Sequence, residues 1–158
     1  MLFMIQKHDV WQYLSSTQKD LILEGAYLVD IIKPHRFKDY SFLVFPYAKA
    51  YEGYLKQLFL DVGFIYHEDY ISDHFRVGKY LSPHMIGRLE DSSIYTKIRD
   101  RATADLAKEI WYVWKEGRNQ VIHYYPHNLK RLTYDEAQEM IADILSIMIK
   151  AYEELKMI

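Results

Sequence analysis

Arg118 and His123 stand five positions apart in the run Arg118-Asn119-Gln120-Val121-Ile122-His123, and their types suit work on a phosphodiester. Arginine is a permanent cation whose planar fork of donors matches a phosphate. Histidine gives or takes a proton near neutral pH. Together they are a minimal kit for cutting RNA without a metal. On an ideal helix five positions separate two side chains by about 140°, so a straight helix does not aim them at one spot. The chain must turn near Gly117 or His123, or two subunits must assemble the site. A plainer account makes Arg118 a cation favoured at a helix C-terminus and His123 a packed or capping residue.

Glu52 is the next candidate. It lies beside an aromatic stripe, and a carboxylate there would orient the arginine or tune the histidine. Its plainer account is a surface ion pair, because Lys49 and Lys56 flank it at i−3 and i+4. Tyr124 and Tyr125 follow the histidine and are suited to stacking on bases or bonding a phosphate, although packing also explains tyrosines in so aromatic a chain. Asn119, Tyr125, Lys115 and Lys130 complete the set of candidate RNA or phosphate contacts. His123 with His127, and His67-Glu68-Asp69 with Asp73-His74, are the two places to look for a metal. Pro126 spoils helical presentation of the first, and the second lacks an HExxH pattern, so no metal site is expected. No P-loop, GxGxxG or GxSxG occurs, which removes the usual support for nucleotide-driven, dinucleotide-dependent or α/β-hydrolase chemistry.

The elements that must position these groups are helices. Residues 16–32 carry Leu21, Gly25, Leu28 and Ile32 on one face, with N-cap side chains at Ser15, Ser16 and Thr17 and with Pro34 past the end. Residues 46–62 open on Pro46, carry a stripe of Tyr47, Tyr51, Tyr54, Leu58 and Val62, and stop at Gly63. Residues 64–92 are interrupted by Gly78, Pro83 and Gly87 and read as a short helix with loops. Residues 98–116 align Ala102, Leu106, Ile110 and Val113, with Trp111 and Trp114 adding bulk. That helix is expected to run on into the Arg118 motif until Pro126 ends it. Residues 134–156 repeat Tyr134, Ala137, Ile141, Leu145, Met148, Tyr152 and Leu155, behind a capping box of Thr133 and Glu136. The sum is an all-α chain, a four-helix bundle with an elaborated middle connection, in one domain over residues 1–158.

Composition sets bounds on this reading. The chain of 158 residues is half hydrophobic and 27% charged, with a net charge of −2. It is therefore not a polyanion binder by overall charge. Residues 97–131 nevertheless net +4 and residues 132–158 net −4, so positive charge is expected to gather around the motif. Fifteen tyrosines and seven phenylalanines predict an aromatic core and a sticky surface suited to self-association. There is no cysteine, hence no disulfide framework, thiolate metal site or cysteine nucleophile. Met1-Leu2-Phe3-Met4-Ile5 is too short for a signal-peptide core, and no run spans a membrane, so a cytoplasmic protein with no membrane partner is expected.

Motif and helix order together resemble the HEPN superfamily. Its signature is an arginine, four to six residues, then a histidine, often with a polar residue straight after the arginine; Arg118, Asn119 and His123 match it. The likeness covers residues 16–156. Phe45-Pro46-Tyr47-Ala48-Lys49-Ala50-Tyr51-Glu52 further resembles the catalytic domain of RnlA/LsoA-type RNase toxins, which use a glutamate from an earlier helix, matched by Glu52. Those toxins carry additional N-terminal domains, and none is expected in these 158 residues. Arg118, His123 and Tyr125 also fit the R-x4-H-x-Y pattern of HepT-like toxins, whose tyrosine is AMPylated by a nucleotidyltransferase antitoxin. The first branch is the favoured one. The resemblance implies a homodimer with facing motifs, RNA as substrate, a protein antitoxin as partner and no cofactor. It implies that Arg118, His123 and Glu52 are catalytic, and that the activity is metal-independent endoribonuclease cleavage in a toxin–antitoxin or antiviral defence system. The alternatives are a non-catalytic RNA-binding or assembly module on the same fold, and a metal-dependent enzyme built on the His67–His74 region.

Overall fold

The computed structural model describes residues 1–32, 36–127 and 129–157, and no strand occurs among them. Two short helices come first, α1 (Leu2–Lys7) and α2 (Asp9–Tyr13), each too brief for periodicity to announce. They are followed by α3 (Ser16–Ile32) and α4 (Phe45–Asp61). The middle connection carries α5 (His67–Ile71), α6 (Val77–Leu81) and α7 (Ile86–Leu89), with single 3₁₀ turns at Pro83–Met85 and Glu90–Ser92. After it come α8 (Ile94–Arg101), α9 (Ala104–Trp114), a π turn over Lys115–Asn119 and α10 (Gln120–Ile122). The last long helix is α11 (Tyr134–Ala151), which closes in a second π turn, Tyr152–Lys156. The chain is thus all-α, and α3, α4, α9 and α11 form its bundle.

Local chemistry sets the helix ends. At the start of α3, Ser15 Oγ accepts from the Gln18 N–H (3.2 Å), and Gln18 Oε1 accepts in return from the Ser15 N–H (3.1 Å). The same reciprocal cap, Thr133 with Glu136, opens α11 as expected. Gly63 ends α4 with a φ of 76°, a conformation that side chains with a Cβ resist. The expected stop at Pro34 lies outside the described residues.

One helix expected from the spacing is in fact two. Residues 98–116 break at Ala102 (φ −122°, ψ −98°), and Thr103 then caps α9 by accepting from the Leu106 N–H. A threonine three residues before an apolar repeat is an N-cap signal, and here it overrides a continuous hydrophobic period. On α3 the buried positions are Gln18, Ile22 and Gly25; Leu21, Leu28 and Ile32 pack only at the margin of that face. Gly25 faces Tyr47 so closely that a Cβ would sit 2.7 Å from Tyr47 Cε2.

α4 is the central element and buries about half of its residues. Tyr47, Ala48, Ala50, Tyr51, Tyr54, Leu55, Leu58 and Phe59 are all buried along it. Its buried hydroxyls tie the bundle together: Tyr51 donates to the Ile110 carbonyl on α9 (3.1 Å), and Tyr54 donates to the Met148 carbonyl on α11 (2.8 Å). Burial pushes both phenols well above their ordinary pKa of 10.0, so they remain protonated donors. The amino-terminal helices are fastened at their exposed ends, by His8 to Glu153 and by Tyr13 to Asp61. No helix among the described residues is long and apolar enough to cross a membrane.

Asp39 joins the approach to α4 to the approach to α11. Its Oδ1 accepts from the Ser41 N–H (2.9 Å), the Ser41 hydroxyl (2.6 Å) and the Leu132 N–H (3.1 Å). Burial raises its pKa, but those three donors, with Arg131 nearby, outweigh burial and hold it below 3.8. The carboxylate therefore stabilises the fold above its unfolded pKa, and the contribution fades as pH falls through the lower folded value. Asp39→Ala is expected to cost about 1 to 2 kcal/mol at pH 7, the site being partly solvated. Urea denaturation at pH 7 and at pH 3 checks this: the gap to the unaltered protein should narrow at the lower pH.

Candidate functional site

The Arg118 motif sits where the helical path widens. Gln120 donates its N–H back to the Lys115 carbonyl, the i→i+5 bond of a π turn. Gly117 is buried inside that turn, and a Cβ there would lie 2.9 Å from Met140 Sδ and 3.3 Å from Ile144 Cδ1 on α11. The turn thus lies directly on α11, with Arg118 next in sequence. The helix then ends at Ile122, and His123 takes extended backbone angles (φ −89°, ψ 144°). The path of one chain thus both widens at Gly117 and leaves the helix at His123.

Arg118 is held from three sides. Its Nη2 and Nε both donate to Oε2 of Glu52 on α4, at 3.1 and 3.3 Å. Its Nη1 donates to Asn119 Oδ1 at 3.1 Å. Its guanidinium carbon stands 5.0 Å from the ring centroid of Trp114, one helical turn back, within cation–π reach. A guanidinium has five N–H groups, and three are used here; the other two have no acceptor among the described residues. The pair is half-buried, with side-chain exposures of 25% for Arg118 and 30% for Glu52. Water and ligands therefore reach it, and its net effect on stability is small.

The surface-pair account of Glu52 does not hold. Among the described residues the Glu52 carboxylate pairs with Arg118, and neither Lys49 nor Lys56 lies within ion-pair distance of it. Contact between α4 and a motif 66 residues later decides this, and nothing local to Glu52 announces it.

Three clefts meet at Glu52. One, of about 210 Å³, runs between Arg118, Asn119 and Trp114 on one side and Arg76, Gly78 and Lys79 on the other. A second, of about 220 Å³, is walled by Phe45, Ala48, Lys49 and Ile122. The third, of about 410 Å³, lies between α3 and α4 and includes Lys49 and Lys56. Gly78 closes over Trp114: a Cβ there would lie 2.5 Å from the indole Nε1.

His123 is exposed, and its ring meets Tyr125 edge-on with centroids 6.2 Å apart; Tyr125 in turn meets His127 at 6.3 Å. Among the described residues no hydrogen bond or ion pair links His123 to Arg118, Asn119 or Glu52. Lys115 and Lys130 both turn to Glu116, at 3.8 and 3.7 Å, and line none of the three clefts. The basic segment as a whole does not gather at the motif. Arg101 donates to the Leu155 carbonyl and Lys97 to the Phe64 carbonyl, and of the basic residues in 97–131 only Arg118 lines these clefts. The cations that do border them, Arg76 and Lys79 on the middle connection and Lys49 and Lys56 on α4, are not legible as site residues from local sequence.

In the His67–His74 region, His67 stacks on Tyr70, and Asp69 accepts from the Tyr66 N–H. No group of three or more His, Asp or Glu among the described residues is placed to hold a metal ion. Comparison of the chain with protein-family models, with curated proteins and with solved structures finds no match.

Proposed function

We propose that this chain is a metal-independent endoribonuclease of the HEPN type, acting as the toxin of a toxin–antitoxin or antiviral defence system. The observation that carries the reading is the Glu52–Arg118–Asn119 cluster. A half-buried guanidinium is fixed by a carboxylate from an earlier helix, retains two free donors, and lines two of the three clefts that meet at that carboxylate. His123 stands exposed on the same segment.

In this reaction the ribose 2′-oxygen bonds to the adjacent phosphorus as the bond from phosphorus to the 5′-oxygen breaks. The 2′-OH proton passes to a base and the departing 5′-oxygen receives one, leaving a 2′,3′-cyclic phosphate and a 5′-OH. His123 acts as that base or acid. Arg118 binds the phosphate oxygens and balances the charge that grows on them. Asn119 and Glu52 hold Arg118 at its angle. A homodimer with facing motifs brings two His123 imidazoles to one linkage, and a protein antitoxin is the expected natural inhibitor.

The test is purified protein on a defined RNA in EDTA. Cleavage is expected to persist in the chelator, to stop when the cleaved linkage carries a 2′-deoxyribose, and to fall about 10²- to 10⁴-fold in His123→Ala. Cleavage by His123→Ala at the unaltered rate would end the mechanism.

One observation favours a second reading, a non-catalytic RNA-binding or assembly module. Glu52 already neutralises Arg118, and within one chain no hydrogen bond connects His123 to the cluster. That reading predicts an RNA gel shift with the RNA left intact, and salt-sensitive binding that survives His123→Ala.

A further inference from the structure

The cations that border the three clefts differ from those that only decorate the surface nearby. Lys115 and Lys130 share Glu116, and Lys150 is paired with Glu109. Among the described residues, Lys49, Lys56 and Lys79 have no carboxylate within ion-pair distance, and Arg76 donates only to the Asp73 backbone carbonyl. These unpaired cations lie on two sides of the Glu52–Arg118 pair. Arg76 and Lys79 line the cleft toward the middle connection, and Lys49 and Lys56 line the cleft toward α3. Between them, the cleft that joins Lys49 to Arg118 has apolar walls, Phe45 (43% exposed) and Ile122 (45% exposed). Positive charge along a path, interrupted by an exposed aromatic ring, is the design of a single-strand groove: cations follow the phosphates and the ring stacks on an unpaired base. A duplex hides its base faces and cannot use the ring.

We propose that the clefts meeting at Glu52 form one track for single-stranded RNA, in which Arg76 with Lys79 and Lys49 with Lys56 hold the phosphates on either side of the linkage at Arg118, and Phe45 stacks on a neighbouring base. The proposal rests on the RNA reading above and adds its substrate form and path.

The experiment uses a fluorescent 2′-O-methyl RNA of about 16 nucleotides, which has no free 2′-OH to react and spans one groove. Anisotropy titrations over a range of salt give the slope of log K against log salt. Arg76→Ala/Lys79→Ala and Lys49→Ala/Lys56→Ala should each flatten that slope by about 1.4, since each removes two phosphate contacts to a single strand. Phe45→Ala should weaken binding about 5- to 150-fold with the slope unchanged. Lys7→Ala/Lys108→Ala should leave both slope and affinity unchanged, since neither lysine lines a cleft, and the matching duplex should bind more weakly than the single strand. The same pairs changed to glutamine keep most of each side chain's length and should flatten the slope equally, which separates lost charge from a disturbed fold. A slope unchanged in either pair, or a duplex bound as tightly as the strand, would overturn the track. Because the probe cannot be cut, the two readings fail separately. Flattened slopes with no cleavage of ordinary RNA leave the track and remove the nuclease; cleavage with unchanged slopes does the reverse.

Discussion

Arg118→Ala is expected to lower RNA cleavage by about 10²- to 10³-fold, the usual cost of losing one preorganised donor to a developing oxyanion. The loss should fall mainly on kcat, because the charge on the phosphate oxygens grows between bound substrate and transition state. The fold should survive the change. The Glu52–Arg118 pair is half-buried and reached by water, and pairs this open contribute about 1 kcal/mol or less. In a chain of this length that is a shift of only about 2 to 4 °C in Tm. Single-turnover cleavage and a thermal melt on the same preparation therefore separate a lost catalytic group from a lost structure.

The same argument fixes what the partners should do. Arg118→Lys keeps the charge but offers a point cation in place of a fork. It cannot donate to Glu52 Oε2 twice and to Asn119 Oδ1 once, as the guanidinium does, so it should recover only part of the rate. Removing Arg118 also leaves the Glu52 carboxylate beside the incoming phosphate with nothing to neutralise it. Arg118→Ala/Glu52→Gln should then bind RNA more tightly than Arg118→Ala alone, and the two substitutions should be non-additive in rate. Additive effects would mean that Glu52 does not act through Arg118. A wild-type rate in Arg118→Ala would remove the guanidinium from the mechanism altogether.

What the sequence conveyed of this arrangement divides by range. Caps and stops are local, and they were legible: Thr133 with Glu136, Ser15 before α3, and Gly63 at a φ that favours glycine. The faces of α4 and α11 followed from their period, since Tyr47, Tyr51, Tyr54 and Leu58, and Ala137, Ile141, Leu145 and Met148, are buried as the spacing requires. The break at Ala102 was missed because the apolar repeat of 98–116 continues across it, while the Thr103 cap that divides the helix is a weaker signal to the eye than to the backbone. Within the site, Glu52 and Arg118 were paired by family likeness; periodicity alone assigned Glu52 to Lys49 and Lys56. Arg76, Gly78 and Lys79 were invisible. They reach the motif through the packing of α6 on α9, and no pattern within α6 encodes what it packs against. Lys115 and Lys130 are a different case: they stand near the motif in sequence, but both pair with Glu116 and neither lines the three clefts.

The largest expected effect on stability belongs to Trp114, which connects the core to the site. Its indole is 2% exposed, lies 6.3 Å from the Tyr51 ring and supports the Arg118 guanidinium at 5.0 Å. Trp114→Ala removes the largest fully buried side chain and leaves a cavity that the neighbouring helices cannot close, at a cost of about 3 to 5 kcal/mol. In a chain of this length Tm should fall by about 6 to 20 °C. Trp114→Phe should behave very differently. The indole Nε1 has no acceptor among the described residues, so the phenyl ring gives up volume without giving up a hydrogen bond, and deleting a buried, unsatisfied donor is itself favourable. The net cost should stay below about 1.5 kcal/mol, while Arg118 exchanges the best cation–π partner for a weaker one. Urea denaturation of the two variants decides the matter: equal destabilisation would mean that the indole N–H is bonded in solution, and a large gap would mean that bulk alone is what α9 requires at this position. Cleavage measured on Trp114→Phe then reports whether Arg118 needs the indole face, since its anchors on Glu52 and Asn119 remain in place.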